Sequence, residues 1–127
     1  MEARAVVERF LADVLNGDAD GGRADELISS ADFKNRVASF CAAFPDLEVE
    51  TLVLVANSDL VAGHFVGRGT HRGLFQGAPP PGRRWEAHCT AVYRVEDERI
   101  ADAWVNWDLL SLMEQLGAVE RVRTVSA

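Results

Sequence analysis

The sequence predicts an α+β domain, with helices laid across one face of a curved antiparallel sheet. Three observations predict it. Apolar residues recur at helical spacing up to about residue 43 and alternate like strands from Leu47 onward. The strands come consecutively, joined by short connections, instead of alternating with helices as a parallel sheet requires. At 127 residues the chain has the length of one domain, which hides roughly two-thirds of its unfolded surface and needs no covalent staples.

The elements follow in order. Residues 3–16 read as an amphipathic helix, with Val6, Val7, Phe10, Leu11, Val14 and Leu15 forming the apolar face and Asn16-Gly17 stopping it. After the turn-rich stretch Asp18–Gly22, residues 24–29 give a short second helix. Residues 32–43 give a third, with Asp32 as its N-cap and Phe33, Val37, Phe40 and Cys41 as its apolar stripe. Strands are expected at 48–56, 60–68, 84–95 and 99–107, with turns at Asn57-Ser58-Asp59 and Glu96-Asp97-Glu98. Gly63, Gly67 and Gly69 suggest a bulge or tight bend in the second strand. Residues 73–82, with three prolines, must be a loop. Residues 108–116 close the fold as a helix with Gly117 as its C-cap, and the tail from Ala118 is expected to be loosely held. A strongly curved sheet with helices across its open side encloses a pocket.

Composition narrows the partners. Twenty acidic against thirteen basic residues give a net charge of −7. No basic face is visible, which argues against a nucleic-acid or anionic-membrane partner. Apolar runs such as Leu52–Ala56 are far too short to span a bilayer. The first fifteen residues carry charge in every turn, unlike a signal peptide. Cys41 and Cys89 are isolated, as reduced thiols of a cytoplasmic protein would be. Three scattered histidines lack ligand spacing, so no metal is expected, and the prolines in FQGAPPPG remove the donors that a phosphate loop needs.

Five segments in order point to a family: FPDLEVE at 44–50, GTHRG at 69–73, GAPPPGRR at 77–84, YRVEDERI at 93–100 and WDLLSLMEQLG at 107–117. Together they resemble the SnoaL-like polyketide cyclases of the nuclear transport factor 2-like superfamily, over about residues 3–117 of a single domain spanning 1–127. The resemblance implies a cone-shaped α+β barrel with an apolar pocket and a homodimer formed through the sheet's outer face. It also implies a polyketide-tailoring activity that uses no organic cofactor or metal, on a flat aromatic small-molecule substrate. Aldol-type cyclisation, hydroxylation with a redox partner and non-catalytic ligand binding are the alternatives, because this fold hosts all three. The family's aldol cyclases place an acid/base Asp on the last strand. Counting back from the matching QLG at 115–117, that position here is Val105, and Cys89 and Ala91 stand where those cyclases place Gln and His. Between Ser30 and Phe33 the chain also lacks a polar stretch that crosses the pocket mouth in many relatives, leaving the pocket more open or closed by a neighbour.

Strand parity makes a similar point from the residues. Trp85, Ala87, Cys89, Ala91, Tyr93 and Val95 share one face of the third strand; Ala101, Ala103, Val105 and Trp107 share one face of the fourth. If these apolar sides line the pocket, its obvious polar handles are Tyr93 and Cys89. Tyr93 is either a hydroxyl that orients a ligand oxygen or a core tyrosine. Cys89 is either a nucleophile or a small buried hydrophobe. Trp85 and Trp107, with Trp104, stack against a ligand or simply pack. His88, two residues from Glu86, is an acid/base candidate unless its face is the outer one. His64 faces the same alternative, and His71 reads best as a turn residue. Asp108, an N-cap by position, is the carboxylate nearest the expected end of the pocket and hence the leading acid/base candidate. Asn106 joins that site only through a shifted register or a bulge.

Overall fold

The computed structural model describes residues 2–19 and 21–120; the chain end beyond 120, part of the tail expected to be loosely held, lies outside the described residues. Helix α1 (Ala3–Phe10) runs on into a π-helical turn over Leu11–Leu15. The wider turn shows in two backbone bonds that skip five residues: Asn16 N donates to Leu11 O at 2.9 Å and Asp18 N to Asp13 O at 3.1 Å. Gly17 is needed there, because a Cβ would lie 2.4 Å from the Asp13 carbonyl oxygen. The Asn16 side chain then ties the helix end to the sheet. Its Nδ2 donates to Val49 O at 2.9 Å, and Val49 N donates to its Oδ1 at 2.6 Å.

Helix α2 (Arg23–Leu27) leads into Ile28, which makes a parallel bridge with Ile100; both side chains are fully buried. Helix α3 (Ala31–Ala43) begins one residue earlier than expected. Ser30, not Asp32, is its N-cap, accepting a hydrogen bond from Phe33 N at 3.1 Å. Asp32 instead sits in the first turn and pairs with Arg36 one turn on, at 3.2 Å.

Strands β1 (Glu48–Asn57), β2 (Leu60–Thr70), β3 (Arg84–Glu96) and β4 (Arg99–Trp107) form one curved sheet in the order β1-β2-β3-β4, antiparallel throughout. The β3–β4 hairpin turns on Asp97 and Glu98, with φ of 52° and 62°; two left-handed residues match the strands' natural twist. The register shifts fall elsewhere than on β2: between Thr51 and Val53 of β1 in the β1–β2 pair, and after Arg94 in the β3–β4 pair, where Ala101 of β4 is the extra residue. The β2 glycines serve a different purpose: they leave room for rings. A Cβ on Gly63 would lie 2.3 Å from the Phe65 ring, and one on Gly67 2.5 Å from the Trp107 ring.

The core lies between the helices and the inner face of the sheet. Phe10, Phe44, Phe65, Ile28, Ile100 and Leu112 are essentially excluded from solvent. Burying each such side chain contributes roughly 1.5–3 kcal/mol. Helix α4 (Leu109–Gln115) closes one end. Asp108 caps it by accepting from Ser111 N at 3.2 Å, and Gly117 ends it at φ +76°. Gln115 reaches back to both backbone groups of Glu86, each at 2.8 Å, which occupies a stretch of β3 edge that β4 does not pair. On the outer face of the sheet Val53, Val55, Leu60 and Trp104 are each more than 40% exposed. Among the described residues no helix is long and apolar enough to cross a membrane.

Candidate functional site

A cavity of about 620 Å³ opens between the inner sheet face and the helices. That is within the range of small-molecule sites, roughly 300–1,000 Å³. The sheet provides Phe65, Cys89, Tyr93, Val105 and Trp107; α1 and its π turn provide Phe10, Leu11 and Leu15; α3 provides Phe33, Val37 and Phe40. Antiparallel register explains the sheet's share. Phe65, Cys89 and Trp107 lie side by side across three strands, as do Gly63, Ala91 and Val105. Alternation turns all of them to the helix side. Phe40 and Trp107 stack at 4.9 Å with their planes 17° apart, forming a flat aromatic wall.

The polar groups divide between rim and depth. Asp32, Asn35, Arg36 and Ser39 on α3, Gln76 on the long loop and Asn106 on β4 are exposed lining residues and mark the rim. Asp32 is ion-paired with Arg36 there and its side chain is 84% exposed. Deeper in, the polar lining groups are Cys89 and Tyr93, both buried. Burial pushes the Cys89 thiol up to about 12, against a weaker lowering by the Asn106 backbone. Burial, and secondarily the neighbouring Cys89, raises the Tyr93 hydroxyl well above its ordinary value. Both groups therefore stay protonated at neutral pH. They can donate a hydrogen bond to a ligand oxygen, and they do not serve as bases. Among the described residues the Tyr93 hydroxyl has no hydrogen-bond partner, while its ring packs against Phe10 at 5.7 Å and Phe33 at 6.1 Å.

Of the residues singled out in the sequence, Tyr93, Cys89, Val105, Asn106 and Trp107 line the cavity. Trp85 and Ala91 face the same side but do not reach it. Trp85 is buried among Phe40, Phe44 and Trp107, and Ala91 is covered beside Gly63 and Val105. His88 lies on the outer face, and Asp108 is spent on capping α4; neither lines the cavity. Asn106 reaches the rim although its parity is outward, opposite Thr90. The helix-borne part of the lining was not anticipated as a site. Its signal was the α3 stripe of Phe33, Val37 and Phe40, whose polar neighbours Asp32, Asn35, Arg36 and Ser39 surround the mouth. Among the described residues no cluster of three or more His, Cys, Asp or Glu side chains could hold a metal.

A four-stranded curved sheet, N-terminal helices and a cavity between them define the cone-shaped α+β class. Within that class the chain belongs to the SnoaL-like polyketide cyclase family, whose sequence pattern it matches over residues 3–116. Similar solved structures include TsrD from Streptomyces laurentii, 24% identical with a TM-score of 0.78, covering 91% of this chain and 94% of that one. AclR from Streptomyces galilaeus, a putative hydroxylase, is 26% identical with a TM-score of 0.77, covering 95% and 84%. IdmH from Streptomyces antibioticus, a putative polyketide cyclase, is 26% identical with a TM-score of 0.74, covering 92% and 99%. No curated protein sequence matches.

Proposed function

We propose that the protein is a polyketide-tailoring protein that takes a flat, largely apolar aromatic molecule into its cavity and holds one ligand oxygen against Tyr93 and Cys89. The observation that carries this reading is the division of the cavity's polar groups. Its depth offers two buried donors between aromatic walls, and its carboxylate, Asp32, stands at the solvent rim. Ring closure of the aldol type needs a base for a proton beside a carbonyl and a donor for the enolate oxygen. Tyr93 fits the donor's role. The position that the family resemblance assigns to the cyclase acid is Val105, so the base comes from the ligand, from water or from Asp32. Similarity to AclR favours a second reading, hydroxylation with a redox partner, in which the cavity chiefly orients the ligand.

The test is product formation from candidate polyketides by the wild type, Tyr93→Phe, Asp108→Ala and His88→Ala. A loss of about a hundredfold in the rate at saturating ligand in Tyr93→Phe alone, with folding retained, supports the enzyme reading. Tight binding with no turnover, alone or with a reductase, defeats that reading in favour of a ligand-binding module. We also propose a homodimer through the outer sheet face, where Val53, Val55, Leu60 and Trp104 form an apolar patch. Light scattering at micromolar concentration should give twice the 13.9 kDa of one chain; the mass of a single chain refutes it.

A further inference from the structure

The wall that α3 gives to the cavity carries a charge among its rings. Phe33, Arg36 and Phe40 follow one another at helical spacing, and all three line the cavity. At 3.6 residues per turn, Arg36 stands about 40° round the helix from Phe40 and Asp32 about 80°, so Arg36 comes between the apolar wall and the carboxylate. Its Cζ sits 5.4 Å from the centre of the Phe33 ring, and its Nε donates to Asp32 Oδ2 at 3.2 Å. These two contacts orient the guanidinium before any ligand arrives. Neither uses the two Nη atoms, which have no partner among the described residues. Among the described lining residues Arg36 is the one cation and Asp32 the one anion.

From this placement we propose that the cavity selects an aromatic carboxylic acid over its ester, with the ligand's carboxylate held at the mouth by the Nη edge of Arg36. The inference rests on the reading of the cavity as a site for flat aromatic molecules, and it adds the charge of the ligand's outer end. A guanidinium offers a carboxylate two edges. Asp32 occupies the Nε edge, and the Nη1–Nη2 edge remains to donate two parallel hydrogen bonds to one carboxylate. An ester brings no charge to that edge. Asp32 repels a second carboxylate, but its side chain is 84% exposed against 51% for Arg36, so water screens the repulsion more than the attraction. Asn35, Ser39 and Gln76 complete the rim with uncharged donors and add no further negative charge. Because Arg36 is itself half in water, the preference is a few-fold and not a hundredfold.

Tryptophan-fluorescence titration with anthraquinone-2-carboxylate and with its methyl ester tests it at pH 7.5, where the acid is ionised. The wild type should bind the acid about three- to fivefold more tightly, the increment of a half-exposed ion pair. Arg36→Gln should bring the ratio of the two affinities to about one and leave the ester's affinity unchanged. Asp32→Asn removes the competing charge; it should tighten the acid about twofold and again leave the ester unchanged. Both side chains are exposed on α3, so the variants should fold as the wild type does. Equal affinity of the wild type for acid and ester overturns the proposal and leaves the aromatic reading standing. So does a preference for the acid that survives in Arg36→Gln. If neither probe binds up to its solubility limit, the reading of the cavity and this inference fall together.

Discussion

Replacing Tyr93 with Phe separates a ligand-binding hydroxyl from a structural one. The substitution removes one oxygen and keeps the ring that packs against Phe10 and Phe33. Because the hydroxyl has no partner among the described residues, its removal breaks no hydrogen bond of the fold. Stability should therefore change by less than about 0.5 kcal/mol. Binding should suffer more. A ligand oxygen seated in this buried part of the cavity loses its donor and is left unsatisfied, which costs about 1–2 kcal/mol. At 1.4 kcal/mol per factor of ten, that is a rise in Kd of roughly 5–30-fold. Titration of polycyclic quinones and anthraquinone esters against tryptophan fluorescence reads it directly, because Trp107 lines the cavity. Urea denaturation of the free protein supplies the stability arm. A variant that loses more than about 1 kcal/mol of stability while binding as the wild type does would show the hydroxyl to be structural, and the reasoning would fail.

Three further outcomes follow. Gly67→Ala should push the Trp107 ring aside, since the new methyl would lie 2.5 Å from it; a loss of roughly 1–3 kcal/mol in urea denaturation with altered tryptophan emission is expected, and an unchanged midpoint refutes the packing argument. Ser30→Ala should cost about 1 kcal/mol through loss of the α3 cap, whereas Asp32→Ala should cost less, so the opposite order would return the cap to Asp32. Cys89, raised from 9.0 to about 12, binds its proton more tightly folded than unfolded; its contribution to stability is complete below about pH 9 and is lost as pH rises toward 12. Cys89→Ala should flatten the alkaline fall in the urea midpoint, and rapid iodoacetamide labelling of Cys89 in the folded protein at pH 8 would contradict the burial argument.

Much of the fold was legible because it depends on periodicity. The alternation in 84–95 identified the inner face of β3 correctly from Trp85 to Val95, and the change of period at Leu47 marked where helices give way to sheet. Local chemistry was legible less evenly. Asp108 and Gly117 behave as the cap residues their positions suggest. Ser30 and Asp32 are both good caps, and a one- or two-residue shift of a helix end and its cap is below what composition resolves. The β2 glycines show a further limit. A glycine in a strand announces that something comes close, but only the packed structure shows that the visitor is the ring of Phe65 or Trp107.

The site was less legible, because parity assigns a side chain to a face and packing decides whether it reaches empty space. Trp85 and Trp107 share the inner face, yet Trp85 is enclosed by Phe40, Phe44 and Trp107, and only Trp107 meets the cavity. Ala91 is too short to reach it. Asn106 points outward by alternation but borders the mouth, because it lies near the end of an edge strand where the wall of the cavity stops. The residues that parity could not supply come from α3, whose helical spacing carries core and cavity positions side by side. Phe33 and Val37 are buried, and Asp32 and Arg36 stand one residue before each at the exposed rim. One helix turn thus places an ion pair over an apolar entrance. On the proposed reading, the ligand offers rings to Phe40 and Trp107, an oxygen to Tyr93, and at its outer end a group that tolerates the Asp32–Arg36 pair.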